Sequence, residues 1–348
     1  MVTINIGREL MGVTNKEWLD RKSKKLSKKK SRDKNNVTMS RFGSRTIEKG
    51  FNHTEIIGYE EKAPEVFSFL NNTGPTVEFF LGYIKEMMRG IYREKFFFDS
   101  TGVQEVTLDA LAYIIALSKN MLKKKINCFT ISGNMPLQEN PRETYIESGF
   151  LNFFRSKTNQ LPPNTKRFKL VSGNRSRGEI SKEICDFVIS SLNKDRIYTQ
   201  NLQNNLIEMM LNASVHAYVG DEIMQPTWYC CSEYSDNRVR IAFLDTGMGI
   251  ANTVRKNFFE KSRLFTNDAD LMYSAFNGDF RTTTEEDHRG NGLPSIRDSA
   301  LSGYYDRFMV LSGGGCCMIV NDYDKLKLTK LNIQHRIYGT IYIFDIKA

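Results

Sequence analysis

The hydrophobic and polar positions of the N-terminal half follow two different periods. Residues 94–98 close with three phenylalanines at 96–98 and lead into a turn sequence at 99–102, which predicts a buried strand. Over 108–121 the apolar residues recur at helical spacing, and a second apolar strand is predicted over 126–131. Strand, helix and strand in this order indicate a parallel pair joined by a crossover helix. A short helix with an aromatic cluster is predicted over 145–154.

In the C-terminal half, helical periodicity comes first and strands follow. The turn-rich residues 161–178 predict a joint between domains. Beyond this joint the pattern predicts helices over 179–192 and 196–218 and from 291, and strands over 227–232, 238–244, 308–311, 316–320 and 340–346. The polar stretch 251–289 shows little regular pattern towards its end. Helices followed by mostly antiparallel strands indicate a two-layer α/β sandwich.

These patterns predict an α/β fold in two domains, with a small α/β unit at 75–165 and the sandwich at 179–348. The charge adds a third segment, residues 1–50, which we expect to form a basic, disordered N-terminal arm. Residues 1–50 carry the whole net charge of +9 of the 348-residue chain, and the remainder is neutral. A neutral body argues against a nucleic-acid groove built across the whole protein. The lysine-rich run 21–36 predicts a mobile basic arm, which is either a solubility tail or a contact for an anionic partner such as nucleic acid, a membrane surface or an acidic protein.

The composition excludes several other classes. With 40% hydrophobic residues the chain can build a core. No apolar run approaches the roughly 20 residues that a membrane span needs, so we expect no transmembrane segment. Residues 1–12 lack the apolar region of a signal peptide. Six cysteines without a Cys-x-x-Cys pair are too few for a disulfide scaffold, which favours a reduced, cytoplasmic setting.

The first candidate for chemistry is a polar line on an apolar helix. Glu208, Asn212 and His216 follow one another at spacings of four, which puts them on one helical face. Polar groups on such a helix must find partners or face a cleft, unless they form an exposed stripe.

Two glycine-rich sequences follow in the same half. The first comes straight after an apolar strand and consists of Asp245, Gly247, Gly249 and Ile250 with their neighbours. The second opens a predicted helix and consists of Arg289, Gly290, Asn291, Gly292 and Leu293. Glycines at the start of a helix leave backbone N–H groups free to meet an anion. Each sequence alone is a weak signal.

Taken together and in this order, the three sequences resemble the N, G1 and G2 boxes of the GHKL superfamily of ATPases and kinases. This superfamily includes gyrase B, the ninety-kilodalton heat-shock chaperones, MutL proteins and sensor histidine kinases. The resemblance covers about residues 180–348. Thr340, at the start of the last strand, matches a threonine that the family often places near adenine. The resemblance implies the Bergerat ATP fold with ATP and Mg²⁺ as cofactors.

The resemblance also implies a role for each matched position. Asn212 would bind the Mg²⁺ that bridges the ATP phosphates, and Glu208 would be the general base. Asp245 would accept a hydrogen bond from the adenine amino group. The remaining matched residues would contact the nucleotide: Gly247, Gly249, Ile250, Arg289, Gly290, Asn291, Gly292, Leu293 and Thr340. For His216 two roles stay open, a structural cap at the helix end or a nucleotide contact.

In the same family a mobile lid closes over the nucleotide. Residues 251–288 would form this lid, with Arg281, Thr282, Thr283 and Thr284 near its end.

The upstream unit has a resemblance of its own. Residues 96–117 resemble the STAS fold of anti-sigma-factor antagonists, in which a partner kinase phosphorylates a Ser or Thr at the helix start. Here that position is Asp109, and Thr107 is the nearest hydroxyl. This departure puts phosphorylation there in doubt, and the unit could serve only for packing or docking.

Three functions are compatible with these observations. The leading hypothesis is a Mg-ATP-binding protein that acts as an ATP-dependent switch or slow ATPase, with a protein partner or as a homodimer. The second is a Ser/Thr protein kinase of the anti-sigma-factor type. The third is a nucleic-acid-binding module that uses the basic arm and is regulated by ATP. None of the four histidines lies on a long amphipathic helix ahead of the ATP domain, which argues against histidine autophosphorylation.

Overall fold

The structure is a computed structural model that describes residues 2–6, 44–49, 55–88, 95–123, 129–155, 165–216, 227–280 and 292–348. The first five stretches hold seven strands and four helices. They are β1 (Val2–Ile6), β2 (Ser44–Lys49), β3 (Glu55–Lys62), β4 (Val66–Phe67), α1 (Thr73–Met88), β5 (Lys95–Asp99), β6 (Glu105–Val106), α2 (Leu108–Lys123), β7 (Phe129–Gly133), α3 (Glu139–Glu147) and α4 (Phe150–Arg155).

Five of these strands form one mixed sheet in the order β1-β7-β5-β3-β2. β5 runs parallel to β7 with α2 between them in the chain, so the predicted strand–helix–strand unit is confirmed. β3 adds a second parallel pairing with β5, and β1 and β2 pair antiparallel at the two edges. The short strands β4 and β6 pair separately in parallel.

The edge strands β1 and β2 lie inside the segment 1–50, for which the charge pattern predicts an arm. β1 pairs with β7 over Val2–Ile6, and β2 pairs with β3 over Ser44–Lys49. The arm prediction is therefore wrong for these two ends, because their β-forming side chains can join a sheet edge whatever the charge of the residues between them. The basic run 21–36 lies outside the described residues.

The C-terminal stretches hold a second, larger set of elements. They are β8 (Phe168–Gly173), α5 (Gly178–Leu192), a 3₁₀ turn (Arg196–Thr199), α6 (Gln200–Leu211), a π-helical turn (Asn212–His216), β9 (Trp228–Ser235), β10 (Arg238–Asp245), α7 (Ile250–Asn257), α8 (Phe259–Ser262), α9 (Asp268–Phe276), α10 (Gly292–Leu301), β11 (Arg307–Ser312), β12 (Gly315–Asp322), β13 (Lys325–Asn332) and β14 (Thr340–Lys347).

The seven strands form one antiparallel sheet in the order β13-β12-β11-β14-β10-β9-β8. Two of its hairpins turn within two residues, at Asp236 and Asn237 and at Tyr323 and Asp324, all four with positive φ. This turn geometry matches the right-handed twist of the strands. The described part of the chain is thus mixed α/β with a large antiparallel sheet, as predicted.

Several predicted boundaries in this fold are wrong. Residues 161–178, predicted as a joint, contain strand β8 of the large sheet. The helix predicted over 196–218 is divided into a 3₁₀ turn, α6 and a π-helical turn. The helix predicted over 145–154 is two helices, α3 and α4. Strand β13 was not predicted, although leucines and lysines alternate within it.

Helix α2 lies between the two sheets. Every residue from Thr107 to Ser118 is buried, as expected of a helix that is apolar on all sides. One core cluster joins α1, α2 and β5 to one face of the large sheet, through Leu170, Tyr229 and Ala242 among others. The two predicted units therefore share one hydrophobic core. Their arrangement does not require an open linker between two separately folded parts.

The other face of the large sheet is covered by helices. A second core cluster packs α5, α6, α7, α9 and α10 against β9, β10, β11 and β14. In the described ranges no helix is long and apolar enough to cross a membrane. The five cysteines that the structure describes are free and buried, so none of them forms a disulfide.

Candidate functional site

Two of the predicted motif residues face each other where α6 packs against α10. A Cβ atom placed on Gly292 would lie 2.5 Å from Oε2 of Glu208 and 3.4 Å from its Cδ. The N-terminus of α10 therefore lies directly against the Glu208 carboxylate, where its N–H groups favour negative charge. Half-burial raises the pKa of Glu208. This carboxyl group is thus better suited to accept a proton than an exposed glutamate would be.

Asn212 marks a change of helix type one turn after Glu208. The α-helix ends at Leu211 and the next five residues form a π-helical turn, a rare element that is frequent at functional sites. Nδ2 of Asn212 is buried and makes no hydrogen bond to a described residue. Burial raises the pKa of the Tyr342 hydroxyl. The nearby Asn212 amide opposes this rise in part, although its Nδ2 lacks the geometry of a hydrogen bond.

His216 ends the π-helical turn. That Glu208, Asn212 and His216 share one helical face stays a prediction. Both roles considered for this histidine remain predictions.

Asp245 ends β10 and is buried, with 5% of its surface exposed. Its Oδ1 accepts a hydrogen bond of 2.8 Å from the N–H of Gly247. Burial raises the pKa of Asp245 to about 6, and hydrogen bonds from Gly247 and Thr340 oppose this rise in part. The Asp245 charge in turn raises the pKa of Tyr342. Asp245 and Asn212 thus both lie close enough to Tyr342 to influence the pKa of its hydroxyl.

Gly249 has a φ of +81°, which a residue with a side chain rarely adopts. A Cβ at this position would lie 2.6 Å from Oγ of Ser312. The same Oγ accepts a hydrogen bond of 2.8 Å from the N–H of Ile250. Ser312 therefore anchors the turn between β10 and α7, which keeps the G1-like sequence close to the end of β11.

The backbone also approaches closely at Gly339. This residue has a φ of +77°, and a Cβ there would lie 1.9 Å from the carbonyl oxygen of Asp245. Thr340 follows and pairs with Asp245 in the β10–β14 register. Its Oγ1 lies 3.2 Å from Oγ of Ser312. Asp245 and Thr340, which the sequence places 95 residues apart, are therefore neighbours.

Part of the predicted site lies outside the described residues. Arg289, Gly290 and Asn291 of the G2-like sequence belong there, as do the lid residues Arg281, Thr282, Thr283 and Thr284. Leu293 is partly buried and packs against the second core cluster.

The described part of the predicted lid region, residues 251–280, is largely helical. Its first part forms α7, α8 and α9, and Val254, Leu271, Met272 and Phe276 are buried in the core. These four side chains fix the described part of the predicted lid to the packed body. The rest of the predicted lid, 281–288, lies outside the described residues.

Among the described residues, no group of three or more His, Cys, Asp and Glu side chains is arranged to hold a metal ion. The single protein ligand implied for Mg²⁺ is the Asn212 amide oxygen, a hard donor of the kind that this cation accepts. The side-chain chemistry at this position therefore fits the implied ion.

The position that corresponds to the STAS phosphoacceptor is fully enclosed. Asp109 is 1% exposed, and its Oδ2 accepts a hydrogen bond of 2.9 Å from the N–H of Phe69. Burial raises the pKa of Asp109, against the opposing charge of Arg240. Thr107 is also buried. A kinase could reach either residue only after the N-terminal unit opens.

Sequence reasoning did not identify Ser312, Tyr342 or Tyr113 as parts of this region. Ser312 had a visible signal, because it ends a buried strand and three glycines follow it. Tyr342 had a weaker signal as an inward residue of the last strand. Tyr113 had none, since it lies far from the motifs in the chain.

No protein-family model and no curated protein matches this sequence.

Proposed function

We propose that this chain is a Mg-ATP-binding protein of the GHKL type that acts as an ATP-dependent switch or slow ATPase. The observation that carries the proposal is the meeting of Gly292 with the Glu208 carboxylate. These residues belong to separate motifs, 84 positions apart in the chain. Glycine turns and polar residues that occurred by chance would not be expected to be neighbours in the folded protein.

The roles of the residues follow from their surroundings. Asp245 offers a buried carboxylate, which suits recognition of an amino group such as that of adenine. Burial raises its pKa by disfavouring the ionised form, and a hydrogen-bond donor from a ligand would stabilise that form. Thr340 lies beside it and would support the same end of the nucleotide.

The phosphate end would lie towards Glu208 and Asn212. The start of α10 supplies backbone N–H groups and a positive helix end, both of which favour phosphate. When bound through Asn212, Mg²⁺ would neutralise phosphate charge. Glu208, half-buried beside this helix start, would accept the proton of the attacking water or hydroxyl group.

Calorimetric titration of the full chain with ATP and Mg²⁺ tests the proposal. We expect wild type to bind and Asp245→Ala to bind at least about tenfold more weakly, the effect of losing a hydrogen bond to a charged group. Asp186→Ala, which removes an exposed carboxylate on α5, is the matched control and should bind as wild type does. Failure of wild type to bind ATP would reject the proposal.

The fate of the γ-phosphate distinguishes the ATPase from the kinase. With γ-labelled ATP, release of free phosphate supports hydrolysis, and label on a protein supports the Ser/Thr kinase alternative. Glu208→Gln should abolish either reaction while leaving ATP binding intact. Turnover at the wild-type rate in this variant would show that Glu208 is not the base.

A further inference from the structure

Tyr113 of α2 reaches the segment that precedes β14. Its hydroxyl accepts a hydrogen bond of 3.0 Å from the Tyr338 N–H and donates one of 2.9 Å to the Tyr338 carbonyl oxygen. One side chain therefore satisfies both backbone groups of a residue that lies 225 positions away. This pair of bonds holds the partly buried backbone of Tyr338 in place.

The Tyr113 ring is itself held firmly. It is fully buried. The centroid of its ring lies 5.4 Å from that of Phe69 and 4.8 Å from that of Phe80. Both contacts are T-shaped, an arrangement that aromatic pairs prefer. The hydroxyl therefore has a fixed position, set by the packing of the N-terminal unit.

The position of Tyr338 directly affects the position of the site residues that follow it in the chain. The next residue, Gly339, lies in backbone contact with Asp245. Its carbonyl oxygen accepts a hydrogen bond of 3.0 Å from Ser312 Oγ, and Thr340 then pairs with Asp245. A displacement of Tyr338 must therefore move Gly339 or open its contact with Asp245.

We infer that Tyr113 is a positioning residue for base recognition, through which the N-terminal unit fixes Tyr338 and Gly339 against Asp245. The inference rests on the proposed function, because it assigns Asp245 to the amino group of adenine. It adds a role for the N-terminal unit that does not require phosphorylation. A change in α2 that displaces the Tyr113 hydroxyl would then alter how well the site distinguishes one base from another.

The test compares ATP with inosine triphosphate, which carries an oxygen where adenine has its amino group. A carboxylate facing that oxygen loses a hydrogen bond and meets an acceptor instead. Wild type should therefore bind inosine triphosphate at least about tenfold more weakly than ATP. In Tyr113→Phe, which keeps the ring and removes the hydroxyl, this ratio of dissociation constants should fall to about threefold or less.

Tyr83→Phe is the matched control. Tyr83 is also buried in the N-terminal unit, and its hydroxyl bonds to Ser118 Oγ at 2.7 Å, away from the site. This variant should lose a similar amount of stability and keep the wild-type ratio. An equal ratio in wild type and Tyr113→Phe would overturn the inference, as would an equal fall in both variants, which would indicate a general loosening of the unit.

Failure of the proposed function would give a different result, because wild type would then bind neither ATP nor inosine triphosphate. If Tyr113→Phe does not fold, as judged by thermal melting, Phe80→Leu replaces it. This variant removes a ring that holds Tyr113 and keeps the hydroxyl, so the ratio should fall at least about twofold. An unchanged ratio in folded Phe80→Leu would overturn the inference.

Discussion

Replacing Gly292 by alanine should separate catalysis from folding. The added Cβ would lie 2.5 Å from Glu208 Oε2, whereas ordinary contacts begin at about 3.4 Å. The carboxylate must therefore retreat by about 1 Å. A displacement of this size in a reacting group costs about 100-fold in rate. The nearest obstacle is the mobile end of a side chain, so the backbone has no need to shift.

Stability should change in the opposite direction. Gly292 is the first residue of α10 and does not have a positive φ, so alanine fits its backbone. Alanine in a helix is favoured over glycine by up to about 1 kcal/mol. We therefore expect an equal or higher melting temperature together with a turnover about 100-fold lower, measured by phosphate release at saturating Mg-ATP.

Gly178→Ala provides the matched control. Gly178 is also the first residue of a helix, α5, but a Cβ there would meet no atom within 4 Å. This variant should gain the same small stability and keep the wild-type turnover. If Gly292→Ala turns over within about twofold of wild type, the contact between the two motifs has no part in catalysis and the assigned base is wrong.

Two further predictions concern stability. Because burial raises the pKa of Asp245 to about 6, against about 3.9 in an unfolded chain, the native state holds its proton more tightly. A contribution of about 3 kcal/mol should be present below pH ~4 and lost as the pH rises through about 6. Urea unfolding of wild type and Asp245→Asn should therefore diverge over this range; a constant difference would contradict the assignment. In the second prediction, Arg240→Ala removes a 2.8 Å partner of the fully buried Asp345 carboxylate, which keeps its contacts with Arg238 and Arg307. The loss should therefore be about 1.5–3 kcal/mol, the contribution of a hydrogen bond to a charged group. Arg196→Ala, which breaks an exposed pair, should cost less than about 1 kcal/mol in the same denaturant titration.

The elements with a clear period were predictable from the sequence. The core of α2, the parallel pairing of β5 with β7 and the antiparallel strands β10 and β14 follow from apolar spacing, because a side chain's face depends on local geometry alone. The positions of Glu208 and Asn212 one turn apart follow in the same way. The failures occurred where local signals were weak or mixed. Strand β8 lies between turn residues, and the edge strands β1 and β2 lie on either side of a basic run.

The sequence alone therefore determined the order of the clearly periodic elements, the confinement of the net charge to residues 1–50 and the spacing within each motif. Only the tertiary structure decided that α2 is enclosed by two sheets, that Gly292 meets Glu208, and that Tyr113 holds the backbone beside Asp245. Such contacts join residues 84 to 225 positions apart. Periodicity acts over a few residues, whereas these approaches depend on how whole sheets and helices pack, and no short stretch of sequence carries that information.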